Sequence, residues 1–306
     1  MIEIELVKTK EEAERLKSMG FCPIEASFGE FSVVDNLKMD HHGALSRLEA
    51  VSIRAYRDYW GLRAANPRFV MAPPADEDAT FAAASLAGIL PQNNPRILAL
   101  AKTIALVDAE PVIGLLKIST LPEGFVSLAW RGEGRPAFTN DDAVKATLFW
   151  EKLLDGSQVS KKIIALARIE QLRREERARE LMRENGEEIS PQLLLIDNVD
   201  PGLFAFHIWC GFKGGNARNV TSWQHPIVLC RYTNGLATIA IPNKKIAEKI
   251  LGRGGLKNVF PLFPAKGKEH WGGREAVGGG PRSGGLTKED CIKAGVEIMN
   301  YLLRRC

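Results

Sequence analysis

The five cysteines, Cys22, Cys210, Cys230, Cys291 and Cys306, include no Cys-x-x-Cys pair, which excludes a zinc knuckle or a dithiol redox motif. Nor is there an uninterrupted apolar run of about 18 residues, so no membrane-spanning helix is expected. The opening Met1-Ile2-Glu3-Ile4-Glu5 carries acids where a signal peptide carries bases, and no long apolar segment follows it. Free thiols without a secretory signal point to the cytoplasm. Charge of one sign is also lacking: 41 Lys and Arg against 37 Asp and Glu leave a net charge of +4, compatible with an anionic substrate but not diagnostic of one. The glycine tract from Gly252 to Gly285 has neither Walker spacing nor a strand-Gly-helix context, which argues against a P-loop and a dinucleotide fold.

At 306 residues, 45% of them hydrophobic, the chain can hold more than one core. Lys8 to Met19 reads as an amphipathic helix closed by Gly20. The strand-like run Phe31-Ser32-Val33-Val34 leads into Asp35 to Gly43. Ser46-Arg47-Leu48-Glu49 has capping-box spacing for a helix that carries Val51, Ala55 and Tyr59. Arg68 to Met71 is a second strand, Asp76-Glu77-Asp78 an acidic loop, and Ala79 to Leu90 a small-residue helix. A helix opened by Asn94-Pro95 then runs into an expected strand at Thr103 to Asp108. Alternating strands and helices predict an α/β fold with a largely parallel sheet over residues 1–138.

Thr139-Asn140-Asp141-Asp142 starts an expected helical connector over 139–188, solvated by Glu/Arg pairs such as Glu175 and Arg179. From 189 to 306 the pattern becomes that of a smaller α+β domain. Its expected strands are Gln192–Ile196, Leu203–Trp209, Ile227–Tyr232 and Ala237–Ile241, with a hairpin at Thr233-Asn234-Gly235. Helices are expected over Lys244–Leu251 and, opened by Thr287, Lys288–Leu303.

The chemistry-bearing residues lie in the connections of the first half. Divalent magnesium or manganese takes hard oxygen ligands, and imidazole also suits manganese. Asp35, Asp40, His41, Asp76, Asp78 and Asp108 are therefore candidate metal ligands, with His41 and His42 candidate catalytic groups. For Asp78 alone, a helix cap is the simpler reading. In the C-terminal tract, Gly272, Gly273 and Gly278 to Gly280 permit positive φ, and successive amides in that conformation can cradle a phosphate. Arg274 and Arg282 could pair with its oxygens, so Gly272, Gly273, Arg274, Gly279 and Arg282 form a candidate substrate-binding set.

Asp40-His41-His42 resembles the signature of the DHH phosphoesterase superfamily. Pro74-Ala75-Asp76-Glu77-Asp78-Ala79, before its small-residue helix, is similar to that family's Asp-x-Asp motif, and Leu106-Val107-Asp108 to its hydrophobic-strand aspartate. Trp271 to Gly280 resembles the Gly-Gly motif of the associated C-terminal substrate-binding domain. The order differs, because Asp-x-Asp here follows Asp-His-His. Ala72 stands where the family places a metal-binding histidine, and Arg274 where the Gly-Gly motif continues with one.

The resemblance implies a phosphoesterase with two Mn2+ (or Mg2+) ions, hydrolysing a phosphodiester or phosphoanhydride in a nucleotide or short oligonucleotide through metal-bound hydroxide. No membrane partner is expected, and a homodimer is an open option. The alternatives are a catalytically impaired nucleotide or nucleic-acid binding protein of the same fold, suggested by Ala72, and a metal-dependent hydrolase of a non-phosphate bond.

Overall fold

A computed structural model describes residues 1–29, 31–109, 136–155, 158–159, 161–200, 225–267, 269–281 and 283–305. The expected strand Leu203–Trp209 and Arg282 lie outside them. The described residues fall into two compact units, one of Met1–Asp108 with 136–171 and one of 172–305. Helices and strands are mixed throughout, with a parallel sheet in the N-terminal unit. No helix among the described residues is long and apolar enough to cross a membrane.

The N-terminal sheet has three parallel strands, with β5 (Arg68–Met71) between β1 (Glu3–Leu6) and β2 (Cys22–Pro23). Phe69 pairs with Ile4 on one side and Cys22 on the other. Phe69, Val70 and Met71 are all buried, as the unbroken apolar run of a doubly covered parallel strand requires. Helix α1 (Lys10–Ser18), capped by Thr9, joins β1 to β2. A small antiparallel hairpin, β3 (Ala26–Phe28) and β4 (Phe31–Val33), follows β2. The strand before Asp40-His41-His42 is therefore the outer leg of a hairpin rather than a member of the parallel sheet.

Helices α2 (Val51–Asp58) and α3 (Glu77–Leu86) share one core, where Val51 and Ala55 meet Ala79, Ala82 and Ala83. Small side chains there let the two backbones approach, which explains the alanine run. Helix α2 does not use the Ser46 capping box. Its N-cap is Ala50, with no side-chain cap of its own, and Ser46 closes a short 3-10 turn, Gly43–Leu45. A carboxylate from another segment replaces the local cap, as described below.

Helix α4 (Pro95–Ala109) runs through Thr103–Asp108, where a strand was expected. Ile97, Leu100, Ala101, Ile104 and Val107 are its buried positions, a spacing of three and four, and Thr103 Oγ1 donates to Ala99 O at 3.0 Å, one turn back. An apolar run of that length fits either period, and helical burial decided it. The expected connector is likewise divided. The helix Asn140–Lys152, capped by Thr139, belongs to the first core, where Trp150 packs edge-on against Phe81 at 5.1 Å and donates to Thr80 at 3.2 Å. Two short paired strands, β6 (Leu154–Asp155) and β7 (Gln158–Val159), interrupt the helical stretch. The helix Lys161–Asn185 runs from the first unit into the second.

The second unit is built on a six-stranded mixed sheet, ordered β12 (Gly272–Gly273), β13 (Val277–Gly279), β11 (Ala237–Ala240), β10 (Ile227–Tyr232), β9 (Leu193–Val199) and β8 (Gly186–Ser190). Strand β9 (Leu193–Val199) lies parallel to β10 (Ile227–Tyr232), and β10 turns through Thr233-Asn234-Gly235 into β11 (Ala237–Ala240). Gly235 has φ 74°, which the tight turn needs. Strand β8 (Gly186–Ser190) has little alternation to announce it and pairs antiparallel with β9. The helices Lys244–Leu251 and Lys288–Leu303 pack on the sheet, bringing Ala247, Leu251, Cys291, Ala294 and Ile298 against Leu193, Leu195, Leu229 and Ile239. Thr287 and Asp290 form a reciprocal capping box at the start of the last helix. Cys22, Cys230 and Cys291 are buried free thiols.

Candidate metal centre

Strands β2 and β5 are parallel neighbours, so the segments that leave their carboxyl ends emerge at the same edge of the sheet. Glu25 follows β2 and Asp76 follows β5. Glu25 is buried and held at φ 47°, a left-handed conformation that costs a residue with a side chain about 1–2 kcal/mol. Its backbone is fixed on both sides: its amide donates to Met39 O at 2.7 Å and its carbonyl accepts from Ser27 N at 2.9 Å. Met39, wholly buried, anchors the loop that delivers Asp40, His41 and His42. Arg54 of α2 pins that loop, donating to Lys38 O and Asp40 O at 2.9 Å each and to Glu49 O at 2.8 Å.

His41 lies at the centre of the arrangement and is 3% exposed. Its Nε2 is 2.7 Å from Glu25 Oε1, 3.6 Å from Asp108 Oδ2 and 3.8 Å from Asp78 Oδ2. The rings of His41 and His42 meet edge to face at 4.8 Å, and His42 Nδ1 is 3.9 Å from Glu25 Oε1. Glu25, His41 and His42 each offer one ligand atom, and these atoms lie within 4.8 Å of one another. Glu25 Oε1 and His41 Nε2 form a close ion pair at 2.7 Å. The donor set of carboxylate oxygens and imidazole nitrogens around them fits a hard or borderline divalent cation.

The remaining acids divide into two roles. Asp40 is wholly enclosed, and both its oxygens are engaged. Oδ2 accepts from Ser27 Oγ, while Oδ1 accepts from the His42 amide at 2.8 Å and faces His42 Nδ1 at 2.9 Å. Burial pushes its pKa up, but the hydrogen bonds and charge of His42 and the Ser27 hydroxyl outweigh that and keep it ionised far below the ordinary carboxylate range. Asp40 is thus placed to orient His42, the carboxylate-histidine pairing that fixes a ligand's tautomer.

Asp78 caps α2 from outside, accepting from Val51 N and Ser52 N at 3.1 Å each. Asp76 caps α3 through Ala79 N at 3.0 Å. The cap expected of Asp78 therefore serves a different helix. Burial, and then repulsion from Glu25, raises Asp78 to about 6. Burial and the charges of Glu25, Asp108 and Asp78 push Asp76 well above its ordinary value. Burial disfavours a charged His41, yet Glu25 above all raises it to about 10. Under the same burial, His41 holds Glu25 below the ordinary range.

Asp40, His41, His42, Asp76, Asp78 and Asp108 are thus brought to one place, and Asp108 reaches it from the end of a helix. Asp35 is not among them. It accepts from Arg63 Nη2 at 3.1 Å and lines a separate concavity of about 430 Å³ with Lys17, Gly20, Phe21, Val34, Asn36 and Arg63. Glu25 was missed from the sequence. Its one signal is position, the first acid after the apolar run Phe21-Cys22-Pro23-Ile24. Ala72 lies buried just past β5 and offers no ligand.

The glycine tract is organised by pairing. Gly272 and Gly273 form β12 and pair with Gly279 and Gly278 of β13 (Val277–Gly279). Of the five glycines expected to permit a nest, only Gly273 has a positive φ, 154°. A Cβ on Gly278 would lie 2.3 Å from the Phe260 ring, and one on Gly273 2.4 Å from Gly278 Cα, so close approach explains these two glycines. Arg274 follows β12, its amide donating to Val277 O at 2.7 Å. Comparison with known proteins adds no relative: no family model, no curated protein and no solved structure matches the chain.

Proposed function

We propose that this chain is a divalent-metal-dependent phosphoesterase, acting on a phosphodiester or phosphoanhydride of a nucleotide or short oligonucleotide, and a rearranged remote relative of the DHH phosphoesterases. The observation that carries the reading is the meeting of Glu25, His41, His42, Asp78 and Asp108, from four separate segments, around the His41 imidazole. The finer layout we propose is a metal-bearing parallel-sheet domain, a helical link and an α+β substrate-binding domain.

Glu25, His41 and His42 would hold Mn2+ or Mg2+, with Asp78, Asp108 and Asp76 adjacent. When bound, such an ion lowers the pKa of water and offsets charge on phosphoryl oxygens. The chain's own groups prepare for it. Asp40 holds His42 through its amide and Nδ1, fixing the orientation of the ring. Arg54 fixes the loop carbonyls, so the imidazoles are presented without rearrangement. His41 is enclosed, whereas the His42 side chain is 39% exposed, so substrate would approach from the His42 side. With so many acids in the cluster, an anionic substrate would need a cation there.

The test is metal content of the protein as purified and after Mn2+ loading, followed by turnover of a generic phosphodiester. Bound ion with turnover, both lost in His41→Ala, is the expected result. Absence of bound metal after loading would sink the proposal. Bound metal and tight nucleotide binding without turnover would select the binding-protein alternative.

A further inference from the structure

Asp35, which the candidate metal centre does not use, lines the concavity of about 430 Å³ in the N-terminal unit. That volume lies within the range of about 300–1,000 Å³ typical of small-molecule sites. Its walls come from three segments: the end of α1 with the turn after it, the connection after β4, and the turn after α2. Lys17 and Arg63 against Asp35 leave the lining with a net charge of +1. Asp35 fixes Arg63 in place. Its Oδ1 accepts from Leu37 N at 2.8 Å, which sets the carboxylate, and its Oδ2 accepts from Arg63 Nη2 at 3.1 Å. The Arg63 side chain is still 34% exposed, and its Nε is buried with no hydrogen-bond partner, so the protein does not use the whole of a five-donor fork. Lys17 faces Glu14 at 3.5 Å, a pair of partly exposed side chains that holds it weakly. The carbonyls at the end of α1 would repel an anion, but they are covered: Arg15 O, Leu16 O and Lys17 O accept from the amides of Met19, Phe21 and Gly20, and Met19 O from Arg68. No atom lies within 4 Å of where a Cβ on Gly20 would stand, so the turn there borders open space.

We infer that this concavity is a second ligand site, taking a small molecule through a carboxylate or phosphate group bound by Arg63 and Lys17. Anchoring of the 35–40 loop accounts for the Asp35–Arg63 pair, but not for the second cation lining the same concavity. An anionic oxygen group answers both cations, and the planar fork of arginine suits carboxylate and phosphate alike. A cationic ligand would meet net repulsion, and a wholly apolar one would cover the lysine and arginine donors without replacing their water. The acids around His41 repel the same anionic group, so the metal-free centre does not compete for it.

The test is titration of the intact, metal-free protein with inorganic phosphate and, separately, with succinate, followed by nitrogen-proton correlation spectra at constant ionic strength against a sodium chloride control. Saturable shifts of the Gly20, Phe21 and Asn36 amides with at least one of the two anions, and none with chloride, are the expected result. The anion that saturates at the lower concentration identifies the group recognised. Losing a charged donor should weaken that binding by about tenfold or more in Arg63→Gln and in Lys17→Gln. Lys17 stands at the surface, so its variant keeps the fold even where Arg63→Gln disturbs the loop. His42→Ala should bind the anion as the parent does. No saturation by about 50 mM of either anion, well beyond a millimolar affinity, overturns the inference. So does binding that is indifferent to Lys17→Gln, or that is lost in His42→Ala.

Discussion

Replacing Asp40 by asparagine separates two roles that the motif alone cannot distinguish, ligand and orienting group. The structure engages both Asp40 oxygens within the protein, with Ser27, the His42 amide and His42 Nδ1. Asparagine retains Oδ1 for the two His42 contacts and turns an amide toward Ser27, whose hydroxyl can accept as well as donate. What is lost is the charge that supports His42. Outer-shell carboxylates of this kind tune metal affinity by about 10–100-fold, or roughly 1.4–2.7 kcal/mol. Glu25→Gln, by contrast, removes the charge of a group in the cluster of ligand atoms itself, and should weaken binding by more than that. Mn2+ titration by calorimetry, or competition against a chromophoric chelator, reads both. Equal losses in Asp40→Asn and Glu25→Gln would refute the division of roles and make Asp40 a ligand. A Glu25→Gln protein that binds Mn2+ as well as the parent would remove Glu25 from the site.

Three other outcomes are expected. Arg54→Ala leaves the buried carbonyls of Lys38 and Asp40 without their charged donor and should cost about 2–4 kcal/mol in denaturant unfolding, with weaker Mn2+ binding. Gly278→Ala drives a methyl into Phe260 and should cost about 1–3 kcal/mol of stability while leaving metal content unchanged, which a melt and a metal assay would show. Asp76→Asn keeps an equally good helix cap but removes a repelled charge. A carboxyl whose pKa is raised by folding costs nothing below its ordinary value of 3.8 and progressively more as pH climbs. Melts of the metal-free proteins should therefore favour Asp76→Asn increasingly above about pH 4, and coincide below it; a pH-independent gap would contradict the assignment.

The legible parts of the fold were those with a local chemical signal. Strand β5, the hairpin turn at Gly235 and the start of the last helix at Thr287 were each expected at the residues where they form. Thr103–Asp108 failed because an apolar run next to a helix reads as either period until its packing partners are known. Ser46-x-x-Glu49 failed because the cap of α2 comes from Asp78, distant in sequence. The candidate site was half legible. Asp-His-His and Asp-x-Asp advertise themselves by clustering, whereas Glu25 is a single acid made prominent only by the parallel pairing of β2 with β5 and by its positive φ. Asp35 sits in the same loop as Asp40, but Arg63 takes it to another surface.

The buried acids of the candidate site work against the fold. Asp76 and Asp78 are held up in pKa by burial and by Glu25, and Glu25 itself occupies a strained backbone conformation. A sequence optimised for stability alone would place asparagine at 76 and glycine or an apolar residue at 25. Both caps would survive, since Asp78 needs only an acceptor for Val51 and Ser52, and Asp76 only one for Ala79. Hydrogen bonding therefore explains why a polar residue stands at 76 and 78, but not why it is charged. On the proposed reading, a cation bound among these groups would convert their repulsion into attraction. Local frustration of this kind concentrates at functional sites. Here it gathers at the carboxyl edge of one small parallel sheet, beside an α2–α3 core packed with alanine.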